Sequence, residues 1–291
     1  MALSKKGIFC TYGAMAMLFA GTVGVSAYQE IKGEILTEKE KAEKEKEFIA
    51  QEKERQEALA AKYTGTKREF ISYAYDAETV SEMLMTKKYS SDEKMVFFTF
   101  DNITSESVAN TISQLFDEYN AKGTFFYTGS QVENIKSTAA PVIEKLYEEG
   151  NSIGNRSYSD SYRKLFPGGR INIDNFMEDY AKTDNVLKSI LGESFKTRAY
   201  RCPGGSVSWR GVNDFRKEYS EKESFGIIDW NVAPNSGKTG EEVAEKTIKA
   251  SEGKDVVVVL VPKMNEEKMM EFLKTSMKWY HSNGYSFKSL G

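Results

Sequence analysis

The stretch SIGNRSYSD, residues 152–160, crowds asparagine, arginine, tyrosine, aspartate and three serines directly behind a helix-like run that ends EKLYEEGN. Such polar density beside an apolar core marks either an active-site loop or the shell of one. The rest of the chain narrows the chemistry. Its 291 residues contain one histidine, His281, so a zinc site built from histidines, or a histidine acid working beside histidine ligands, is excluded. His281 falls in KWYHSNG at the end of a helical pattern, where it suits the helix dipole. Cysteines are two, Cys10 and Cys202. Cys10 lies inside an apolar segment, so no disulfide between them is expected. Cys202 follows Arg201, a setting that can lower a thiol pKa, but with no histidine base to activate it, packing is its expected role.

The polar clusters need a scaffold. From Met95 the apolar run MVFFTF reads as a strand, and SVANTISQLFDEYNAKG follows with helical periodicity closing on Gly123. TFFYTG is the next strand, STAAPVIEKLYEEGN a helix ending at Gly150, SIGN a short strand and DNFMEDYAKTDNVLKSILG a helix. TRAYRCPGG reads as strand and turn, and FGIIDWNV as one strand. EEVAEKTIKASEG, DVVVVLV, EEKMMEFLKTSMKWYHSNG and YSFKSL complete a β/α series. Repeated β-α-β units imply parallel strands with helices outside. The polar clusters then fall at the C-terminal strand ends, where such folds carry their sites.

The chain before this domain divides by composition. Residues 7–27, GIFCTYGAMAMLFAGTVGVSA, carry no charge and follow Lys5 and Lys6. The length suits a membrane span with a cytoplasmic N-terminus, while the terminal VSA also suits a cleaved signal peptide. Residues 1–28 are therefore expected to be a membrane anchor or signal peptide, giving a membrane protein with an extracytoplasmic C-terminal domain, or a secreted one. Residues 29–62 are rich in Glu and Lys at helical spacings and read as a charged helical stalk. Residues 63–94 read as an N-terminal extension of the domain at 95–291. With 40 basic against 43 acidic residues the net charge is −3, and no basic stripe appears, which sets nucleic-acid binding aside.

FTFDN at 98–102, GTFFYTG at 123–129, EEGNSIGNRSYSD at 148–160, YRCPGGS at 200–206, IIDWNV at 227–232, VVVVLV at 256–261 and GYSFKSL at 284–290 together resemble the polysaccharide deacetylases, carbohydrate esterase family 4. The resemblance covers about residues 95–290 with the segments in order. It implies an α/β fold, a distorted (β/α) barrel with its site at the strand C-termini. It also implies removal of acetyl groups from N-acetylated sugars such as chitin or peptidoglycan, with a divalent metal, usually zinc, held by one Asp and two His.

The resemblance assigns a role to each position, and this sequence departs from several of them. Thr99, Phe100 and Asp101 match the first motif, with Asp101 as the family's general base, but Asn102 stands where a metal-binding Asp belongs. Arg156 and Asp160 stand where the two histidine ligands belong. An amide oxygen is a poor zinc ligand, and Arg156 cannot lose its proton to ligate a cation. Arg201 matches the arginine that pairs with the base. Asp229 and Trp230 match an aspartate that orients the catalytic acid and a tryptophan that walls the acetyl pocket, with Tyr158 also expected to line it. Pro262 replaces the acid histidine. Sugar stacking on Trp209 or Tyr158 stands beside plain aromatic packing.

No metal or other cofactor is therefore expected, and Asp101 and Arg201 reduce to an ion pair without a competent site. Arg156 is expected to place its guanidinium in the vacated cation position, paired with Asp101 or Asp160, because Asp101, Asp160 and Asp229 would otherwise repel one another. The expected function is an inactive, deacetylase-like protein of the cell surface that binds cell-wall glycan or an envelope protein. Two alternatives stay open: a working deacetylase with oxygen ligands Asp101, Asn102 and Asp160 for a harder metal, and an envelope structural protein that binds no glycan. The oligomeric state is not legible.

Overall fold

The structure is a computed structural model describing residues 38–223, 225–234 and 237–291. The segment at residues 7–27, with its expected anchor or cleavage site, lies outside the described residues, as do residues 29–37. Among the described residues no helix is long and apolar enough to cross a membrane. The chain divides into two compact units, residues 1–56 and 57–291. Helix α1, Glu38–Lys62, is highly charged, and its described side chains are mostly exposed.

In the larger unit the strands are β1 (Ala74–Tyr75), β2 (Met95–Asp101), β3 (Thr124–Tyr127), β4 (Ser152–Asn155), β5 (Ala199–Tyr200), β6 (Gly226–Ile227), β7 (Val256–Leu260), β8 (Ser286–Phe287) and β9 (Ser289–Leu290). The helices are α2 (Ala77–Thr86), α3 (Glu106–Glu118), α4 (Gly129–Asn134), α5 (Lys136–Glu148), α6 (Tyr162–Leu165), α7 (Ile173–Leu191), α8 (Val212–Glu223), α9 (Gly240–Ser251) and α10 (Glu266–Ser282). The main sheet has the order β6-β5-β4-β3-β2-β7, with β8 added to β2, and every pairing is parallel. It curls until the chain leaving β6 meets the far edge, where Val232 bridges Val259. This is a curled parallel half-barrel of the α/β class.

Strands buried on both faces read as continuous apolar runs, and β2 is the example: Met95 to Phe100 are all buried. Side chains alternate across a strand, and here the alternation sorts them into two cores. Val96, Phe98 and Phe100 join the cluster under the outer helices, with Ile112, Leu115, Val142 and Phe272. Met95 and Phe97 join the inner cluster with Phe126, Ala199, Ile228 and Val258. By the same parity Thr99 and Asp101 face inward. On β4, Ile153 packs outward and Gly154 inward, which makes Arg156 the next inward residue, and Ala199 on β5 does the same for Arg201. The site is thus set by strand parity.

The segment before β2 belongs to the same unit. β1 pairs in parallel with β9, and α2 buries Ala77 and Val80 in the inner cluster while Ser81 donates to the Ile227 carbonyl at 2.9 Å. Three local readings change. The α3 helix ends at Glu118, and the left-handed residue beyond it is Asn120 (φ 50); Gly123 instead lies against the Phe116 ring, where a Cβ would stand 2.7 Å from it. FGIIDWNV is not one strand. Its first rungs end at Ile227, and the Asn231 side chain then takes over ladder bonds, donating to the Val256 carbonyl and accepting from Val258 N, both at 2.8 Å. Helix α8 was not anticipated, because its sequence VNDFRKEYSEKE is almost entirely polar, with Val212 and Phe215 carrying its burial.

Candidate functional site

At the C-terminal ends of β2, β4 and β5 the inward-facing Asp101, Arg156 and Arg201 meet. Asp101 accepts from Arg201 Nη1 on Oδ1 at 2.9 Å and from Arg156 Nε on Oδ2 at 3.0 Å. Arg156 Nη1 also donates to Asp160 Oδ2 at 2.8 Å and to Thr128 Oγ1 at 3.0 Å. Arg201, the largest fully buried side chain, further donates to Thr99 Oγ1 at 2.8 Å and to the Ile228 carbonyl at 3.2 Å. Its guanidinium lies 4.1 Å from the centre of the Phe126 ring and 5.5 Å from that of Trp230, a geometry in which the ring faces favour the cation. Phe126 can take that place because Gly154 has no Cβ; one would stand 2.5 Å from the ring.

Charge dictates this arrangement. Burial works against the Arg156 cation, but the Asp101 and Asp160 carboxylates outweigh it and hold the Arg156 pKa above the ordinary arginine value. Two guanidiniums and two carboxylates alternate from Arg201 through Asp101 and Arg156 to Asp160. Arg156 was expected to pair with Asp101 or Asp160; its guanidinium is bonded to both.

The loop that carries Arg156 is held from below. Asn155 turns outward, donating to the Tyr180 carbonyl at 3.1 Å and to Asp184 Oδ1 at 2.8 Å, while its Oδ1 accepts from Ser157 N at 3.0 Å. Ser157 (φ 62) and Asp160 (φ 49) adopt left-handed backbone, and Ser157 Oγ accepts from Asp160 N at 3.1 Å. Asp179, fully buried on α7, gathers Tyr158 N at 2.9 Å, Ser159 N at 2.8 Å, Ser159 Oγ at 3.0 Å and Lys164 Nζ at 2.7 Å. Burial alone would raise the Asp179 pKa; the Lys164 ammonium and the Ser159 donors reverse that and hold it below the ordinary carboxylate range.

The remaining expected residues are placed as follows. Asn102 leaves β2 in left-handed backbone (φ 53), which asparagine tolerates well. Its amide brackets Thr128, accepting from Thr128 N at 2.8 Å and donating to Thr128 Oγ1 at 3.2 Å. Asp229 is buried and accepts from Ser206 N at 2.8 Å and Ser206 Oγ at 2.5 Å, which anchors the turn after β5. Trp230 is half-buried beside Arg201. Tyr158 turns to α4, its hydroxyl donating to Glu133 Oε2 at 2.6 Å. Trp209 is buried among Phe166 and Val212, so core packing, not an open stacking face, describes it. Cys202 is a buried free thiol whose pKa burial pushes up, opposite to the lowering that its neighbour Arg201 suggested. Pro262 lines a small cavity of about 200 Å³ with Val243, Lys263 and Lys268. His281, in the last turn of α10, sits edge-on to Tyr119.

These donors do not fit a divalent cation. Arg156 puts a fixed positive charge between the carboxylates, both Asp101 oxygens are engaged by guanidinium N–H groups, and the Asn102 oxygen accepts from Thr128 N. Asp160 Oδ1 is buried without a hydrogen-bond partner, yet one carboxylate oxygen beside a guanidinium is no ligand set. Among the described residues no group of three or more His, Cys, Asp or Glu could hold a metal.

Thr128 and Asp179 were missed from sequence. Thr128 directly follows β3, so its place at a strand C-terminus was a signal. Asp179 interrupts the stripe Phe176, Tyr180, Thr183 and Leu187 on the buried face of α7, which was another.

The curled parallel sheet is also the architecture of the solved structures that this chain resembles. Residues 88–218 match the polysaccharide deacetylase family model. An esterase of carbohydrate esterase family 4 from Streptococcus mutans is similar in structure, with a TM-score of 0.66 and 26% identity over 80% of this chain and 99% of that one. A peptidoglycan N-acetylmuramic acid deacetylase of Bacillus subtilis is 24% identical over 147 residues, 50% of this chain but only 27% of that protein. A pseudoenzyme of the same esterase family from Bacillus anthracis shares the fold, with a TM-score of 0.53 and 18% identity over 69% of this chain and 65% of that one.

Proposed function

We propose that this protein is a deacetylase-like pseudoenzyme that binds cell-wall glycan, or an envelope partner, without hydrolysing it. The observation that carries this reading is the Arg156 guanidinium, bonded to Asp101 Oδ2 and Asp160 Oδ2 where the family resemblance puts a metal ion. Deacetylation by the family's route needs an activated water, a base with a free lone pair and an acid for the leaving amine. Here the Arg156 guanidinium, bonded to Asp101, stands where the resemblance places the metal that would activate the water, and Pro262 at the acid position has no proton to give. Metal activation and general acid catalysis each lower a barrier by several kcal/mol, so losing both leaves little activity. What persists is a rigid, charged strand-end surface with Trp230 at its side, suited to the hydroxyl and amide groups of a glycan.

In this reading residues 7–27 anchor the protein in a bacterial membrane or direct its export, residues 29–62 act as a stalk, and the half-barrel is a distorted (β/α) barrel displayed outside the cytoplasm. The test uses the full chain, with acetate release measured from N-acetylglucosamine oligomers and from peptidoglycan in the presence of Zn, Co, Mn or Mg, alongside elemental analysis of retained metal. The expected result is no turnover, no stoichiometric metal and sedimentation with peptidoglycan. Metal-dependent turnover overturns the reading in favour of an atypical deacetylase; neither turnover nor glycan binding favours a structural envelope protein.

A further inference from the structure

Close in sequence to the charged cluster is an exposed aromatic residue that the deacetylase chemistry does not use. Two residues after Asp160, Tyr162 opens α6, held there by Ser161, whose Oγ accepts from Lys164 N at 3.3 Å. Its side chain is 53% exposed although it is a large aromatic. The ring is nonetheless fixed, stacked on the buried Trp209 at 4.8 Å between centroids and 25° between planes. Its hydroxyl passes over Gly204, where a Cβ would stand 1.5 Å from the oxygen, and Gly204 has a φ of +64 that an L side chain would resist. A Cβ on the adjoining Gly205 would stand 3.2 Å from the Trp230 ring and 3.4 Å from Asp229 Oδ1. Val207, on the same turn, is 86% exposed. Tyr162 is thus supported by Trp209 and still more than half exposed.

We propose that Tyr162, backed by Trp209, is a stacking platform for a pyranose ring, a subsite that takes the apolar C–H face of a β-linked sugar. The inference rests on the glycan-binding reading above. A ring already fixed against a buried neighbour loses little side-chain freedom on binding. Trp209 itself is a positioning residue: it supports Tyr162 and does not reach the ligand.

The experiment is isothermal titration of the full chain with chitopentaose and with sonicated peptidoglycan, for the wild type, Tyr162→Ala, Tyr162→Phe and Ile135→Ala, the last an exposed apolar residue on a different part of the surface. Binding by the wild type that weakens about three- to tenfold in Tyr162→Ala and holds in Tyr162→Phe and Ile135→Ala supports the platform. Equal binding by the wild type and Tyr162→Ala overturns it while leaving the glycan reading intact, and equal weakening in Tyr162→Phe and Tyr162→Ala overturns stacking in favour of a hydroxyl contact. A wild type that binds neither probe overturns the glycan reading and the platform with it. Thermal midpoints of the four proteins separate lost binding from lost folding, and an unchanged midpoint is expected for Tyr162→Ala because the ring is more than half exposed.

Discussion

Asp101 and Arg156 are joined by one hydrogen bond, from Nε to Oδ2 at 3.0 Å, and the other side of the same guanidinium reaches Asp160 at 2.8 Å. Replacing Arg156 with alanine leaves two partly buried carboxylates without that cation, and a loss of about 3 kcal/mol is expected. Arg156→Lys keeps the charge but not the planar fork that reaches Asp101, Thr128 and Asp160 together, so about 1 kcal/mol is expected. Urea denaturation midpoints at unchanged m-value measure both. A wild-type midpoint for Arg156→Ala refutes the idea that this cation holds the site together.

The Asp101–Arg201 pair is the deeper of the two, since Arg201 is fully buried beneath Phe126 and Trp230. Asp101→Asn keeps the shape and removes the charge between two arginines, and Arg201→Met strands the carboxylate; each is expected to cost about 3 kcal/mol or more. The double variant is expected to lose less than the sum, with a coupling of about 1–3 kcal/mol. Additive losses in a double-mutant cycle contradict direct coupling.

The site residues were named through the family resemblance, and strand parity explains why they meet. Met95 to Asp101 alternates strictly, so once MVFFTFD is a strand buried on both faces, Asp101 must share a face with Phe97. Arg156 and Arg201 follow from Ile153 and Ala199 by the same count. What strand parity does not supply is partnership between distant side chains. Nothing near Ser159 announces that Asp179 and Lys164 will hold its loop, because that contact depends on how α7 packs. Cys202 fills the packing role expected of it, and burial, not its sequence neighbour Arg201, decides the direction of its pKa. Helix α8 escaped because its apolar stripe is too thin for its length.

Asp179 gives the loop a pH dependence. Its folded-state pKa lies below the ordinary aspartate value, so its contribution is complete above that value and is lost as the pH falls through the lower, folded-state one. The window therefore opens below about pH 4. Asp179→Asn is expected to cost about 2 kcal/mol at pH 7, where four donors lose a charged acceptor. The gap between the wild type and this variant is expected to narrow as the pH is taken from 7 to 3. A gap that stays constant over that range means that Asp179 titrates as it does in the unfolded chain.

The replaced cation can be tested by reversing the replacement. Asn102→Asp, Arg156→His and Asp160→His together supply the one Asp and two His that the family resemblance assigns to a zinc ion, and they remove the guanidinium that occupies the same space. The backbone permits this: Asn102 has a φ of 53 and Asp160 a φ of 49, and asparagine, aspartate and histidine are the non-glycine residues that enter that region most readily. Near-stoichiometric zinc after dialysis is expected in the triple variant and none in the wild type, by elemental analysis. Arg156→His alone is expected to hold little, since Asn102 still offers only an amide oxygen that accepts from Thr128 N. Zinc binding without acetate release is the expected state of the triple variant, because Pro262 still stands where the acid belongs, and Pro262→His is the further change that turnover requires. Stoichiometric zinc in the wild type contradicts the account, because a guanidinium bonded to both carboxylates leaves no place for the ion.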